Sequence, residues 1–243
     1  PHSIILSVKP MTSSLNVEDF LSHLNEALIF SRLQSQQPDF LLDPAQRHAP
    51  HLRRCKQYDI YVMVDETYVE FADNMAELTA VPLTNYYNNI VILRGTSKFF
   101  AAPGIRLGYG VSSNQTFLDR FKTNTNPWSV NSLADFIGQH IFTDFEFHKK
   151  TQTLVSEEEE KPSQSFPHGK YQGISLRSEL HSAEAENRRI TAHELFEKCI
   201  QKKMLIRDAS SFTFLDESYL RFCILSPEHN AALLAELKKW VEA

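Results

Sequence analysis

The run Ile60-Tyr61-Val62-Met63-Val64 has no charged or amide side chain, is rich in β-branched residues, and stops abruptly at Asp65 and Glu66. A strand with one wet face alternates apolar and polar residues. A run without that alternation reads as a strand covered on both faces, as in parallel sheets. A second such run, Ile90-Val91-Ile92-Leu93, follows the turn signal Asn88-Asn89 and ends in Arg94-Gly95-Thr96-Ser97-Lys98. Two buried strands therefore deliver polar groups to one sheet edge. In open parallel sheets, ligands bind beyond the carboxyl ends of the strands, so this edge is where a site is expected.

The surrounding pattern supports an α/β layer architecture. Residues 4–8 read as a buried strand, and Phe20, Leu21, Leu24 and Leu28 at helical spacing predict a helix over 17–30 with Asn16 as its N-cap. Residues 31–56 are polar without a clean period and are expected to be a loop or insertion. Helices are expected over 115–122 and 131–142, separated by the turn Asn126-Pro127-Trp128.

From 148 to 189 the chain is polar, with the acidic run 157–160 and the breakers Pro162 and Pro167, which places a boundary between domains 1–147 and 148–243. Beyond it, Thr191 and Glu194 form a capping-box pattern ahead of Leu195, Phe196, Cys199 and Ile200. Strands are expected over 204–207 and 219–224. Ser226-Pro227-Glu228 then starts a helix whose apolar face is Leu233, Leu234, Leu237, Trp240 and Val241. The tail is thus a small α+β domain.

Composition excludes several classes. A net charge of −5 over 243 residues leaves no basic surplus for a phosphate backbone, so nucleic acid is not an expected partner. Cys55, Cys199 and Cys223 match neither a zinc nor a CxxC spacing, so no metal is expected and the thiols are read as reduced and mostly structural. The apolar run at 4–8 is too short for a signal or a membrane span. No membrane partner is expected, and the location read from this is cytoplasmic.

Lys98 lies just past a buried strand and is followed by Phe99, Phe100, Ala101 and Ala102. An apolar pocket makes a lysine easier to deprotonate, which a Schiff-base lysine requires. Arg106, inside Pro103-Gly104-Ile105-Arg106-Leu107-Gly108-Tyr109, has a guanidinium suited to a phosphate, with glycines that let the backbone turn around an anion. Asp65 would emerge at the sheet edge, where a cationic ring nitrogen could use its carboxylate, and Tyr68 could donate into the same place. Taken singly, a surface lysine, a structural arginine and an ordinary strand-end turn are the plainer readings.

Taken in order, Val64-Asp65-Glu66-Thr67-Tyr68-Val69-Glu70-Phe71 and the stretch from Arg94 to Tyr109 resemble the class I/II aminotransferases of fold type I, which use pyridoxal 5'-phosphate (PLP). Within them the likeness is to the histidinol-phosphate aminotransferase and threonine-phosphate decarboxylase branch. Asn126-Pro127-Trp128-Ser129-Val130-Asn131 leans toward the decarboxylase. The resemblance implies a fold-type-I PLP-transferase: a mostly parallel sheet flanked by helices, with part of the N-terminal region missing, and a small C-terminal domain. It assigns Lys98 the covalent link to the cofactor and the catalytic proton transfers. Asp65 takes the pyridine nitrogen, Tyr68 the phenolic oxygen, and Ser97 with Arg106 the phosphate. Arg221, in Tyr219-Leu220-Arg221-Phe222, takes the substrate carboxylate.

The implied reaction is transamination between an amino acid or amino phosphate and a 2-oxo acid, by a homodimer. The alternatives are threonine-phosphate decarboxylation and a non-catalytic binding module on the same fold. The chain departs from the pattern in three places. No asparagine stands beside Pro10. Gly95 replaces a usual serine, leaving Thr96 as the hydroxyl that could stand in for it. The segment 173–189, where a small-domain strand belongs, lacks an apolar face.

Overall fold

Strand β2 (Tyr61–Asp65) forms where the first apolar run predicts it, and strand β3 (Ile90–Gly95) where the second does. The computed structural model describes residues 30–34, 44–72, 74–165, 181–184, 190–211, 216–217 and 219–241. The expected strand at 4–8, the N-cap Asn16, nearly all of the helix over 17–30 and the Pro10 segment lie outside the described residues. By internal contacts the chain forms two compact units, one reaching to His148 and the other continuing from Lys149.

In the first unit four strands form one sheet in the order β1-β2-β3-β4, where β1 is Phe30–Gln34 and β4 is Gly108–Val111. β1 and β2 are parallel, as are β2 and β3, while β4 runs antiparallel to β3. Val62 pairs with Ile90 and Asp65 with Leu93, so the polar ends of both central strands leave the sheet on the same side. Helix α1 (Pro44–Gln57) packs Leu52 and Cys55 into a core with Ile60, Val62, Val64, Ala80, Leu83, Ile90 and Ile92.

Two sequence expectations are corrected here. The polar stretch from 31 is not a loop throughout, because β1 and α1 both fall within it. β1 is held by the backbone ladder to β2, which needs no apolar side chains. The helical face of α1 rests on only a few inward positions, too few to show a period in a run full of Arg, Gln and His. Strand β2 is also not evenly covered: Val62 and Val64 are buried, whereas Tyr61 and Met63 are partly exposed. Tyr61 instead packs its ring 5.3 Å from that of Phe117 and accepts a hydrogen bond from Asn114.

The short helix α2 (Met75–Leu78) follows β2, and two longer ones follow β4: α3 (Gln115–Asn124) and α4 (Ser132–Ile141). Asn114 and Asn131 cap these two, each side chain accepting a hydrogen bond from a first-turn amide. Between β3 and β4 the backbone turns tightly through a 3-10 turn at Pro103–Ile105, and its left-handed residues are Ala101 (φ 48°) and Arg106 (φ 61°) rather than its glycines. Gly108 answers a different need, since a Cβ there would stand 3.0 Å from the Arg94 carbonyl oxygen on the neighbouring strand.

Helix α5 (Phe145–Ser165) occupies much of the polar stretch read as a boundary, its first residues in one unit and the rest in the other. Its acidic run is partly satisfied within the second unit, where buried Glu158 accepts hydrogen bonds from Lys161 and, at 2.9 Å, from Asn230. The second unit's sheet has the order β5-β7-β6, all antiparallel, from β5 (His181–Glu184), β6 (Arg207–Asp208) and β7 (Tyr219–Phe222). A small-domain strand therefore does exist within 173–189. It is joined to β7 by backbone bonds, and the rest of that segment lies outside the described residues. Helix α6 (Ala192–Gln201) begins with the expected capping box at Thr191 and Glu194. With α7 (Pro227–Val241) it supplies a core of Ala192, Leu195, Cys199, Leu234 and Leu237 against Leu220 and Phe222 of β7.

Asn131 plays two parts: it caps α4 through the Ala134 amide at 2.9 Å and donates to the Ile105 carbonyl at 3.1 Å, next to Arg106. Asn131→Ala is expected to destabilise the protein by about 1–2 kcal/mol, seen as a lower urea midpoint with an unchanged slope.

Candidate active site

Asp65 ends β2, and its carboxylate accepts hydrogen bonds from the Thr67 amide at 3.1 Å and from the Thr67 hydroxyl. This local loop stiffens the strand end and fixes the carboxylate's direction. Tyr68 follows, and its ring lies under the Lys98 ammonium, 5.9 Å from Nζ to the centroid. The structure thus brings together the end of β2 and the residue three places past the end of β3. Lys98 and Ser97 are partly buried, and Phe99 and Phe100 immediately after them are buried.

An aromatic wall holds this segment from behind. Phe99 meets Phe71 edge to face at 5.1 Å and Phe100 at 5.2 Å, and Phe100 meets Phe142 at 5.4 Å. The His148 ring lies 5.0 Å from that of Phe99. Such geometry suits the ring quadrupoles and adds to the area term. On the near side the Ala101 amide donates to the Lys98 carbonyl at 2.8 Å, closing a tight turn. Thr96 is buried, and both its amide and its hydroxyl donate to the Leu107 carbonyl, each at 3.1 Å. That hydroxyl's proton serves the fold, so Thr96 is a poor substitute for the serine replaced by Gly95.

Arg106 is exposed and donates to the Pro103 carbonyl at 3.2 Å, within its own turn. Arg221 sits in the second unit on β7, partly buried, opposite Ser182 and Arg207 in register. Asp65, Tyr68 and Lys98 are therefore gathered at one sheet edge. Arg106 lies on the following turn and Arg221 belongs to the other unit.

Sequence reasoning passed over the group that joins the two strand ends. Glu66 is fully buried, and both Nε and Nη2 of Arg94 donate to its Oε2, at 3.1 and 2.9 Å. Thr79 completes the ring, donating to Oε2 at 2.9 Å and accepting from Arg94 at 2.7 Å. The second carboxylate oxygen takes the Ala80 amide at 2.5 Å. Burial works against the Arg94 charge, but Glu66 and Tyr109 outweigh it and hold the guanidinium protonated. The signal was present: opposite charges stand just past two adjacent buried runs.

Glu70 lies buried beside this pair. Burial, reinforced by the Glu66 charge, raises its carboxyl to about 7, against the opposing pull of its backbone hydrogen bond and Arg94. Among the described residues no group of three or more His, Cys, Asp or Glu could hold a metal, and no helix is long and apolar enough to cross a membrane. Cys55 and Cys199 are buried with their thiols pushed up by desolvation, and Cys223 is exposed.

Because Glu70 binds its proton more tightly folded than unfolded, its contribution is fully present below its ordinary value of 4.5. It is lost as pH rises through about 7. Glu70→Gln is expected to flatten that fall, checked by urea midpoints across the interval. Parallel curves for the two proteins would rule out this source of pH dependence.

The family model described as aminotransferase class I and II matches residues 51–237. A putative threonine-phosphate decarboxylase of Caldanaerobacter subterraneus subsp. tengcongensis is 31% identical over 187 residues, covering 77% of this chain and 50% of the relative. A histidinol-phosphate aminotransferase of Methanosphaera stadtmanae is 29% identical over 194 residues, 76% of this chain and 49% of the relative. The chain thus spans about half the length of these relatives. The crystal structure of the histidinol-phosphate aminotransferase from Clostridium acetobutylicum superposes with a TM-score of 0.83 at 23% identity, covering 93% of this chain and 68% of that one. At that identity the likeness speaks for the fold.

Proposed function

The chain belongs to the class I and II aminotransferase family, and on that footing we propose that it is part of a PLP-dependent aminotransferase acting on an amino acid or amino phosphate, of the histidinol-phosphate aminotransferase kind. The observation that carries this reading is the Lys98 amine set over the Tyr68 ring at a sheet edge that also bears Asp65. The donor set fits the cofactor: an amine for its aldehyde, a carboxylate for its ring nitrogen, a phenol for its oxygen, and Ser97 with Arg106 for its phosphate. The two compact units serve in this reading as the large and small domains.

When bound, PLP supplies an electron-poor ring that accepts the electrons released as a bond at the substrate Cα breaks. Asp65 keeps a proton on the ring nitrogen by placing negative charge beside it. Lys98 Nζ would take the proton from the substrate Cα and return it, as base and then acid. Tyr68 orients the ring through its hydroxyl, and Arg221 binds the substrate carboxylate through paired N–H groups. The aromatic wall behind Phe99 keeps the lysine's stem from swinging back into the fold.

Pro127-Trp128-Ser129-Val130-Asn131, together with the 31% identity to the Caldanaerobacter protein, favours a second reading, decarboxylation of an amino-acid phosphate. Both readings would use one site and differ in which bond at the substrate Cα is broken. The location proposed is the cytoplasm, with neither nucleic acid nor membrane as partner. A homodimer is the proposed assembly, supported by exposed apolar side chains on and before α4, with Trp128 at 88%, Leu133 at 60% and Phe136 at 63%. Sedimentation equilibrium of wild type and Phe136→Glu checks it: a dimer weakened by the charge is expected, and a wild-type monomer refutes it.

Added PLP is expected to give a yellow band that borohydride fixes onto Lys98, and Lys98→Ala to remove both band and turnover. A 2-oxo-acid-dependent exchange of the amino group supports transamination, whereas carbon dioxide release without it supports the decarboxylase. A folded sample with no band leaves the non-catalytic binding module.

A further inference from the structure

We propose that Arg94 and Glu66, joined through Thr79, form a positioning clamp that sets the placement of Asp65 against Lys98. Neither residue carries an assigned role in the chemistry, and the inference rests on the PLP reading above. Glu66 is the next residue after Asp65, and Arg94 lies four residues before Lys98. The clamp therefore grips each strand at the point where its functional residue leaves the sheet. The Glu66 amide donates to the Leu93 carbonyl at 2.8 Å, so backbone and side chain of the same residue both hold β3.

Three features separate this from an ordinary ion pair. Glu66 has no exposed surface, and the Arg94 side chain is only 12% exposed, so the contact is shielded from solvent and salt. The two Glu66 oxygens divide their partners, with Oε2 receiving Arg94 and Thr79 while Oε1 receives the Ala80 amide. The clamp thereby ties down the chain at 79–80 as a third element. Finally, Gly95 beside Arg94 stands opposite Gly108, where a Cβ would lie 3.0 Å from the Arg94 carbonyl oxygen, so the backbone that carries the guanidinium is closely backed by the neighbouring strand. Small displacements at a catalytic constellation are costly to function even when the fold survives.

Losing one partner leaves a buried charge, so the test replaces both. Glu66→Gln with Arg94→Met keeps an acceptor for the Ala80 amide, and neutral replacement of a buried pair commonly preserves stability. The double variant is expected to melt near the wild-type temperature and still be fixed by borohydride at Lys98. Its PLP dissociation constant should rise about tenfold or more, and the pH at which its visible band changes should move. Arg94→Lys keeps the charge but gives up the paired Nε and Nη2 grip on Glu66, and it should shift both readouts in the same direction; if the double variant does not fold, it decides alone. Folded variants that bind PLP within about twofold of wild type with an unmoved band overturn the clamp. A wild type that never forms the band fails the cofactor reading, and the clamp's role with it.

Discussion

A carboxylate without solvent has to be answered by the protein, and in the first unit that requirement organises everything near the site. Glu66 can be accommodated in the core because Arg94, Thr79 and the Ala80 amide surround it. Removing one partner of such a buried pair typically costs about 3–5 kcal/mol, although the pair as a whole need contribute little net stability. Its value lies in geometry. Two parallel strands slide past one another only if their hydrogen bonds are remade, and a charged pair with directional partners adds a further penalty to any slip.

What the clamp does on one side of the Lys98 segment, the aromatic wall does on the other. Phe99 and Phe100 are driven inward by area, and their rings lock edge to face with Phe71 and Phe142. Lys98 lies between the Thr96 contact to Leu107 and the turn closed by the Ala101 amide. Burial of Thr96 before it and Phe99 after it limits the directions in which the lysine can point, and the one it takes is over Tyr68. A flexible four-carbon side chain is thus positioned without a hydrogen bond to its own amine being required.

Much of this was legible in the residues. The two apolar runs announce β2 and β3, the polar residues after them announce the site edge, and the capping box at Thr191 marks a helix start that the structure keeps. Other elements were hidden for identifiable reasons. β1, β5 and the polar helix α5 depend on backbone pairing or a few inward contacts, which leave almost no period in side-chain hydropathy. The glycines around Arg106 suggested left-handed turn positions that they do not supply, because Arg106 and Ala101 take that conformation. Glu66 was overshadowed by Asp65, since a sequence does not tell which of two adjacent carboxylates faces the core.

By itself the sequence determined the family, the central strands, the sheet edge that carries Asp65 and Lys98, and the identity of the residues able to serve a cofactor. These are local properties: chain periodicity, strand-end chemistry and the order of short motifs. Only the tertiary structure decided that Glu66 turns inward to Arg94, that Thr96 spends its hydroxyl proton on Leu107, and that Lys98 lies over Tyr68. The reason is that each of these depends on which atom meets which across the sheet, at separations in the chain of 11 to 30 residues that no pattern of neighbouring residues encodes.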